Sequence, residues 1–353
     1  MFEIDYMPVG TGSRGGDAIA LRYGDFSSRE TYKVVIIDGG TKESGKALVE
    51  HVKTHYETTH VDVVVASHLH NDHVSGLTEV FSGLTVEKLI AHLPWNYTTS
   101  LKRMTTTQST AENLGTKLEK SLCTLSSVID LAEEKGVTIV QPFAGEKILD
   151  DLYVLGPTKN YYESLLANFG GTPEVKPIHK IEEMFISIKD AIVNWLDETL
   201  DVETLSDDHP DTSPENNSSF VLLLAVDGKR FLFTGDAGKE ALTKSIDFAE
   251  SNSLSLSKVD FFDVPHHGSK RNLGPTVLDR LMPRKAFISC PPEGDPKHPS
   301  RKVINALCRR CESDPGSTRK GGAICHFSSG APASQREGWG RLEPETFNPK
   351  VEE

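Results

Sequence analysis

Residues 61–77 read VDVVVASHLHNDHVSGL. Val63 to Ser67 are small or β-branched and mostly apolar, the composition of a buried strand, and His68, His70, Asp72 and His73 follow within six positions. His68 and His70 stand two apart, and at a strand end such a pair points to one side, so both can reach one ion. Asp72 and His73 arrive as the chain turns into a helix and can reach a second ion beside the first. Imidazole nitrogen and carboxylate oxygen are the usual ligands of zinc and similar transition metals. The bland alternative is a surface histidine cluster without metal. Three histidines and an aspartate crowded directly behind a buried strand weigh against it.

Around this motif, strands and helices alternate. Phe2, Ile4 and Tyr6 alternate in the manner of a strand, GTGSRGGD turns the chain, AIALRY resumes it, and YKVVIID is a buried run ending at two glycines. A strand rather than a helix follows the glycine-rich turn, which argues against a nucleotide-phosphate loop. Lys42 to Tyr56 has helical spacing, Asp72 to Ser82 reads as the start of a helix, and KLIAHL as a strand. Leu101 to Lys135 carries long helical periodicity, and VTIVQP and LYVLGP are short strands. Ile181 to Leu200 is amphipathic, with Met184, Ile188, Ile192 and Trp195 on one helical face expected to lie in the core. FVLLLAVDGKRFLFTGD is a hairpin turning at Asp227-Gly228, VDFFDVP and KAFISC are further buried strands, and SRKVINALCRRC is a helix. The reading is one domain over residues 1–330, with a helical and acidic insertion at about 101–215, and a peripheral Pro-, Gly- and Glu-rich tail over 331–353.

Three later stretches supply what a two-metal site still lacks. FLFTGD ends a buried strand at Asp236, a carboxylate placed to bridge two ions. DVPHHGSK ends another at His266 and His267, offering one more imidazole, and NNSSF opens the hairpin that leads to Asp236. Each alone is a weak signal. Together, each opening or closing a buried strand, they point to one edge of a sheet.

The 353 residues are 37% hydrophobic and 25% charged, which suits a globular chain with a real core. No stretch approaches the roughly 20 apolar residues that span a bilayer, and MFEIDYMPVG lacks the basic start and apolar run of a signal peptide. Five scattered cysteines do not make a disulfide framework. A cytoplasmic protein with no membrane partner is expected. The net charge of −13 argues against a general nucleic-acid coat, but the charge is uneven. Lys258 to Lys320 holds 13 Lys and Arg against 7 Asp and Glu, whereas Asp190 to Glu215 holds 9 acidic residues and no Lys or Arg. Cys308, Cys311, Cys325 and His326 are read as packing residues rather than a zinc site, and Trp195 and Trp339 as core or tail residues rather than base-stacking platforms.

Taken together, GGDAIAL leading to IIDGG, SHLHNDHVSGL, NNSSFVLLL, FLFTGDA, VPHHGSK, and AFISC followed by KHPS resemble the metallo-β-lactamase-fold hydrolases. Within them the set is most similar to the soluble hydrolase domain of ComEC-type DNA-uptake proteins and their stand-alone relatives. The match to H-x-H-x-D-H is complete at His68, His70, Asp72 and His73. The resemblance implies an α/β fold, a four-layer αββα sandwich with the metals at one edge of its two sheets. It implies His68 and His70 on the first ion, Asp72, His73 and one of His266 or His267 on the second, and Asp236 bridging. Most members place a further histidine where this chain has Asn216 and Asn217; the nearest one here is His209, in the acidic loop. Two divalent ions, zinc or manganese, are the implied cofactors.

Two adjacent ions activate water near neutral pH, which suits a phosphodiester, a lactam, a thioester or a lactone. Local positive charge beside the last ligands favours a phosphate-bearing substrate, a nucleic acid or nucleotide. The expected activity is therefore a metal-dependent phosphodiesterase or nuclease. The alternatives are a lactone, thioester or amide hydrolase, or a non-catalytic metal-bound module in a larger assembly. In this reading Asp72 orients the attacking water as well as ligating, and His298 gives a proton to the leaving oxygen. Asn217, Ser269, Lys270, Arg271 and Lys297 hold the substrate, with Arg301 and Lys302 in the same basic stretch. The acidic loop at 190–215 repels long polyanions or holds a protein partner.

Overall fold

The computed structural model describes residues 1–10, 15–104, 110–169, 195–292, 298–319, 324–329 and 344–352. Two seven-stranded sheets form its centre. The first runs, in spatial order, Cys325–Ser328, Phe2–Tyr6, Ile19–Gly24, Tyr32–Ile37, His60–Val65, Thr85–Ile90, Thr138–Val140. The second runs Gly316–Ser317, Ala286–Ile288, Phe261–Asp263, Lys229–Phe233, Val221–Val226, Leu152–Gly156, Lys147–Leu149. Each sheet is antiparallel on one side and parallel on the other: Tyr32–Ile37, His60–Val65 and Thr85–Ile90 run parallel in the first, Lys229–Phe233, Phe261–Asp263 and Ala286–Ile288 in the second.

Side-chain alternation along the strands makes three core layers. Val35, Ile37, Val63 and Val65 point inward and meet Leu222, Leu224, Phe231 and Phe261 between the sheets. Their neighbours Val34, Ile36 and Val64 point outward against Leu48 and Val52 of helix Lys42–His55, Val80 of helix Leu77–Gly83, and Leu125 and Val128 of helix Cys123–Glu134. On the far side, Val221, Leu223 and Phe262 meet Leu242 and Ile246 of helix Lys239–Ser251, Leu278 of helix Pro275–Leu281, and Val303 and Leu307 of helix Arg301–Arg310. Each such side chain contributes about 1.5–3 kcal/mol when fully buried. The result is the four-layer αββα sandwich that the resemblance implied.

The expected elements differ from the observed ones in three places. The helical stretch at Leu101 to Lys135 is three helices, Thr98–Met104, Ala111–Ser121 and Cys123–Glu134. The amphipathic helix expected at Ile181 to Leu200 falls mostly on residues 181–194, outside the described residues, together with Met184, Ile188 and Ile192. Its end is not helical: Trp195–Asp197 is a strand paired antiparallel with Lys350–Glu352. Trp195 is half exposed, with the Arg301 guanidinium 4.5 Å from its ring centroid, rather than in the core. Residues 344–352 are likewise docked rather than peripheral. Glu345 accepts from Ser317 Oγ at 2.7 Å and pairs with Arg319, Val351 is buried, and Glu352 takes Ser300 Oγ and the Arg301 N–H at the start of helix Arg301–Arg310. Trp339 and Lys297 lie outside the described residues. Among those described, no helix is long and apolar enough to cross a membrane.

Candidate metal centre

The parallel strands of both sheets end at one edge, and the loops that leave them meet there. Phe220 N–H donates to Ser67 O at 2.9 Å and His266 N–H to Gly235 O at 3.1 Å, so the loops are tied across and within the sheets. The YKVVIID run delivers Asp38 and Gly39-Gly40 against His73. The N–H groups of Gly39 and Gly40 donate to the His73 carbonyl at 2.7 and 3.1 Å, while Asp38 Oδ2 lies 2.7 Å from its Nδ1. Gly76 lets the backbones meet: a Cβ there would lie 2.0 Å from Gly39 O.

Of the overlapping donor groups at this edge, two are made entirely of residues that the motifs supplied. In the first, one ligand atom each from His68, His70 and Asp236 lies within 4.8 Å of the others, and in the second the same holds for Asp72, His73 and His267. Asp236 stands between them. Its Oδ1 is 3.3 Å from His73 Nε2, and its Oδ2 is 3.5 Å from His68 Nε2 and 3.7 Å from His266 Nε2. Asp236 is only 2% exposed. Burial opposes its charge, yet the His266, His73 and His68 rings around it hold its pKa well below the usual carboxylate range. Burial, reinforced by the charge of His73, pushes His68 well below the ordinary imidazole value. His73 goes the other way: burial opposes protonation, but Asp236 and Asp38 outweigh it and raise its pKa.

His266 and His267 resolve an ambiguity that the residue types left open. Both adopt left-handed backbone, φ 49° and 55°, at a typical cost of about 1–2 kcal/mol per residue. This turn separates two adjacent imidazoles. His267 is buried, joins Asp72 and His73, and donates Nδ1–H to Ser289 O at 2.8 Å, which leaves the Nε2 lone pair available. His266 instead approaches Asp236 Oδ2 on the His68 side. Asn272 anchors its amide nitrogen on Asp236 O at 2.7 Å, so Oδ1 is its acceptor and takes the His266 Nδ1 proton at 2.9 Å. That frees His266 Nε2 as well.

Asn216 and Asn217, which replace the usual histidine, differ from each other. Asn216 is buried beside His266, its Nδ2 3.2 Å from His266 Nδ1, and its Oδ1 makes no hydrogen bond. Asn217 is engaged within the fold: its Oδ1 accepts from Gly238 N–H at 3.0 Å and its Nδ2 reaches Asp211. Two further expected substrate contacts also bond within the fold. Ser269 is buried and accepts from Arg271 N–H at 3.3 Å within the turn, and Arg271 donates to Asp211 O at 2.9 Å. Lys270 is half-buried near His209, and His298 stacks on His266 with ring centroids 5.3 Å apart. Cys308, Cys311, Cys325 and His326 form no metal-holding group among the described residues; His326 bonds Asp5 instead.

The residue types alone did not point to Asp38, Asp17, Ser67, Ser289 or Asn272. Asp38 accepts from Ser67 N–H at 2.7 Å and Ser67 Oγ–H at 2.5 Å as well as facing His73. Asp17 lies 3.9 Å from His73 Nδ1 and 4.0 Å from His267 Nδ1. Burial and the charge of Asp263 push it up to about 8. The only signal was position, in GGD and DGG, because such partners come from separate segments.

The acidic loop turns inward. Asp211 accepts from Lys239 and Glu240 N–H, both at 3.1 Å, and Asp207 from Thr276 N–H at 3.2 Å, so each carboxylate caps a helix start. Glu198 pairs with Arg309 at 2.6 Å and Glu203 with Arg310 at 2.7 Å.

The histidine and aspartate constellation lies at one edge of a four-layer sandwich, and residues 30–120, which carry the H-x-H-x-D-H cluster, match the family described as the Metallo-beta-lactamase superfamily. Among curated proteins the chain is similar to ComE operon protein 3 of Bacillus subtilis (strain 168), 34% identical over 110 residues, 31% of this chain. It is also similar to Recombination protein 2 of Haemophilus influenzae (strain ATCC 51907 / DSM 11121 / KW20 / Rd), 35% identical over 116 residues, 33% of this chain. The matched part spans 14% of the length of each relative. Among solved structures, a diphosphatase from the PhnP family aligns with a TM-score of 0.39 and 10% identity, covering 93% of this chain and 98% of that one. The family match and the two curated relatives bear out the resemblance read from the motifs.

Proposed function

We propose that the chain is a dinuclear metal-dependent hydrolase acting on phosphodiesters, with a nucleic acid or nucleotide as substrate. The observation that carries this reading is the shared carboxylate of Asp236 between two donor groups. The residues fit a pair of divalent ions: His73 Nε2 and Asp236 Oδ1 are buried, 3.3 Å apart, and neither makes a hydrogen bond. Unsatisfied buried groups of this kind cost about 1–3 kcal/mol each unless a ligand takes them.

His68, His70, His266 and Asp236 Oδ2 would hold one ion, and Asp72, His73, His267 and Asp236 Oδ1 the other, zinc or manganese in either place. When bound, such a pair lowers the pKa of water and stabilises charge growing on the attacked group. Asp72 is half-buried, the most open of the second group, and so is the carboxylate suited to orient the attacking water. His298, held against the His266 ring, is suited to give a proton to the leaving oxygen. The cation on this side that follows the His266–His267 turn directly, Lys270, supports a phosphate ester over a neutral acyl substrate.

The test is turnover by zinc- and manganese-loaded protein of bis(p-nitrophenyl) phosphate, nitrocefin and an acyl-lactone. Hydrolysis of the phosphodiester alone, abolished by chelation, is expected. Turnover of nitrocefin or the lactone without the phosphodiester would overturn the reading.

A further inference from the structure

Lys302, the second residue of helix Arg301–Arg310, is only 4% exposed. Among the described residues no carboxylate pairs with it and it makes no hydrogen bond. The side chain is buried along its length while its ammonium has no counter-charge, an arrangement that favours an anion beside it. Its surroundings are also cationic. Burial and the charges of Lys270, Lys302 and Lys239 push His209 down to about 4, so His209 is neutral at pH 7 while its Nε2 is buried without a hydrogen-bond partner.

The acidic groups nearby are engaged. Asp207 and Asp211 cap helix starts, and Glu352 sits on Ser300 Oγ and the Arg301 N–H rather than on Lys302. Lys239 is turned to the carbonyls of Asp207 and His209. Asp208 acts on His209 against these cations.

This cluster borders the metal centre. Ser300 N–H donates to Gly268 O at 3.0 Å, which fixes the start of the Lys302 helix on the turn that carries His266 and His267. Lys270 follows that turn directly, and His298 bridges the two segments by stacking on His266.

We propose that Lys302, with Lys270 and His209, forms a phosphate subsite beside the metal centre. It would take a second phosphate of the substrate, next to the one that is cleaved. This rests on the phosphodiesterase reading and adds to it that the preferred substrate bears at least two phosphates. The second phosphate comes either from the next linkage of a strand or from a terminal monoester. The Lys302 ammonium neutralises it, and His209 donates one hydrogen bond through Nε2–H.

The test compares Lys302→Met, which keeps length and removes charge, with Lys302→Arg, which keeps charge. Metal-loaded protein is assayed on bis(p-nitrophenyl) phosphate, on a dinucleotide with a 5′-phosphate, and on a trinucleotide without one. Lys302→Met should raise KM about tenfold on substrates with two phosphates, leave kcat unchanged, and leave bis(p-nitrophenyl) phosphate unaffected, as expected for loss of uniform binding. Lys302→Arg should restore most of the affinity. A larger effect on one of the two nucleotides identifies the source of the second phosphate. Equal effects on all substrates, or none on the two-phosphate pair with an unchanged melting temperature, would overturn the subsite.

Calorimetry of pyrophosphate binding to the full chain, metal-loaded and chelated, gives a readout that survives failure of the phosphodiesterase reading. If no phosphodiester is cleaved but Lys302→Met weakens pyrophosphate binding about tenfold, the subsite stands without that activity. Unchanged binding sinks it.

Discussion

The two donor groups share Asp236 but are braced differently. In the second, His73 is fully buried with Nδ1 against Asp38, and His267 is 7% exposed with Nδ1 on Ser289 O. Both rings are fixed by acceptors behind them, the arrangement that orients a ligand and sets its tautomer. In the first, His68 and His266 also have partners behind them, Ser67 Oγ at 3.0 Å and Asn272 Oδ1 at 2.9 Å, but His70 is half-buried, the His266 side chain is 27% exposed, and His68 Nε2 lies 3.0 Å from His70 Nδ1. The usual histidine is absent, and His266 approaches from the opposite loop. The difference teaches that the second group is the more enclosed and the first the more open, so the second group should bind its ion more tightly.

The largest effect expected is that of Asp236→Ala. It removes the one carboxylate common to both groups, so both ions should weaken together. The loss should exceed the about 10–100-fold that follows from removing a partner behind a ligand. Metal content by mass spectrometry and turnover check it together. A variant that kept either ion at full occupancy would show the groups to be independent and break the comparison at its base.

Next comes the histidine pair. His267→Ala should empty the braced site and abolish turnover. His266→Ala should leave one tightly held ion per chain and mainly weaken the second equivalent. Metal titration separates the two outcomes. If His266→Ala lost the tight ion, the assignment of the adjacent imidazoles would be reversed.

These expectations show what could be read from residues in order. The H-x-H-x-D-H cluster was legible because its ligands fall within six positions behind a buried strand, and Asp236 because it closes an unmistakable apolar run. Which of His266 and His267 serves which ion was not legible, since the left-handed turn that parts them is a matter of backbone dihedral angles rather than residue type. Asn217, Ser269 and Arg271 were read as substrate contacts from charge and proximity in sequence. The fold uses them on Gly238, the Arg271 N–H and Asp211. Composition revealed the basic stretch without revealing that several of its arginines answer the acidic loop while Lys302 does not. Trp195–Asp197 read as the end of a helix because its strand partner, Lys350–Glu352, lies at the far end of the chain.

The smallest effect, and the most informative about bracing, is that of Asp38→Asn. Asp38 accepts three hydrogen bonds, from Ser67 N–H, Ser67 Oγ–H and His73 Nδ1–H. An asparagine has one oxygen for three donors. If that oxygen stays on Ser67 N–H, the new amide N–H group faces His73 Nδ1 and drives the imidazole proton to Nε2, the nitrogen that points at Asp236 Oδ1. Metal binding would then have to displace that proton. Affinity at the second site should fall about 10–100-fold. The first site should fall less, because the hydrogen-bonded link from Asp38 to His68 runs through Ser67 Oγ, 3.0 Å from His68 Nδ1, and a hydroxyl can rotate to serve either neighbour. Competition titration with a chelator on each variant measures both steps. An equal fall at both sites, with an unchanged melting temperature, would mean that Asp38 acts on the whole edge of the sheets rather than on the tautomer of His73.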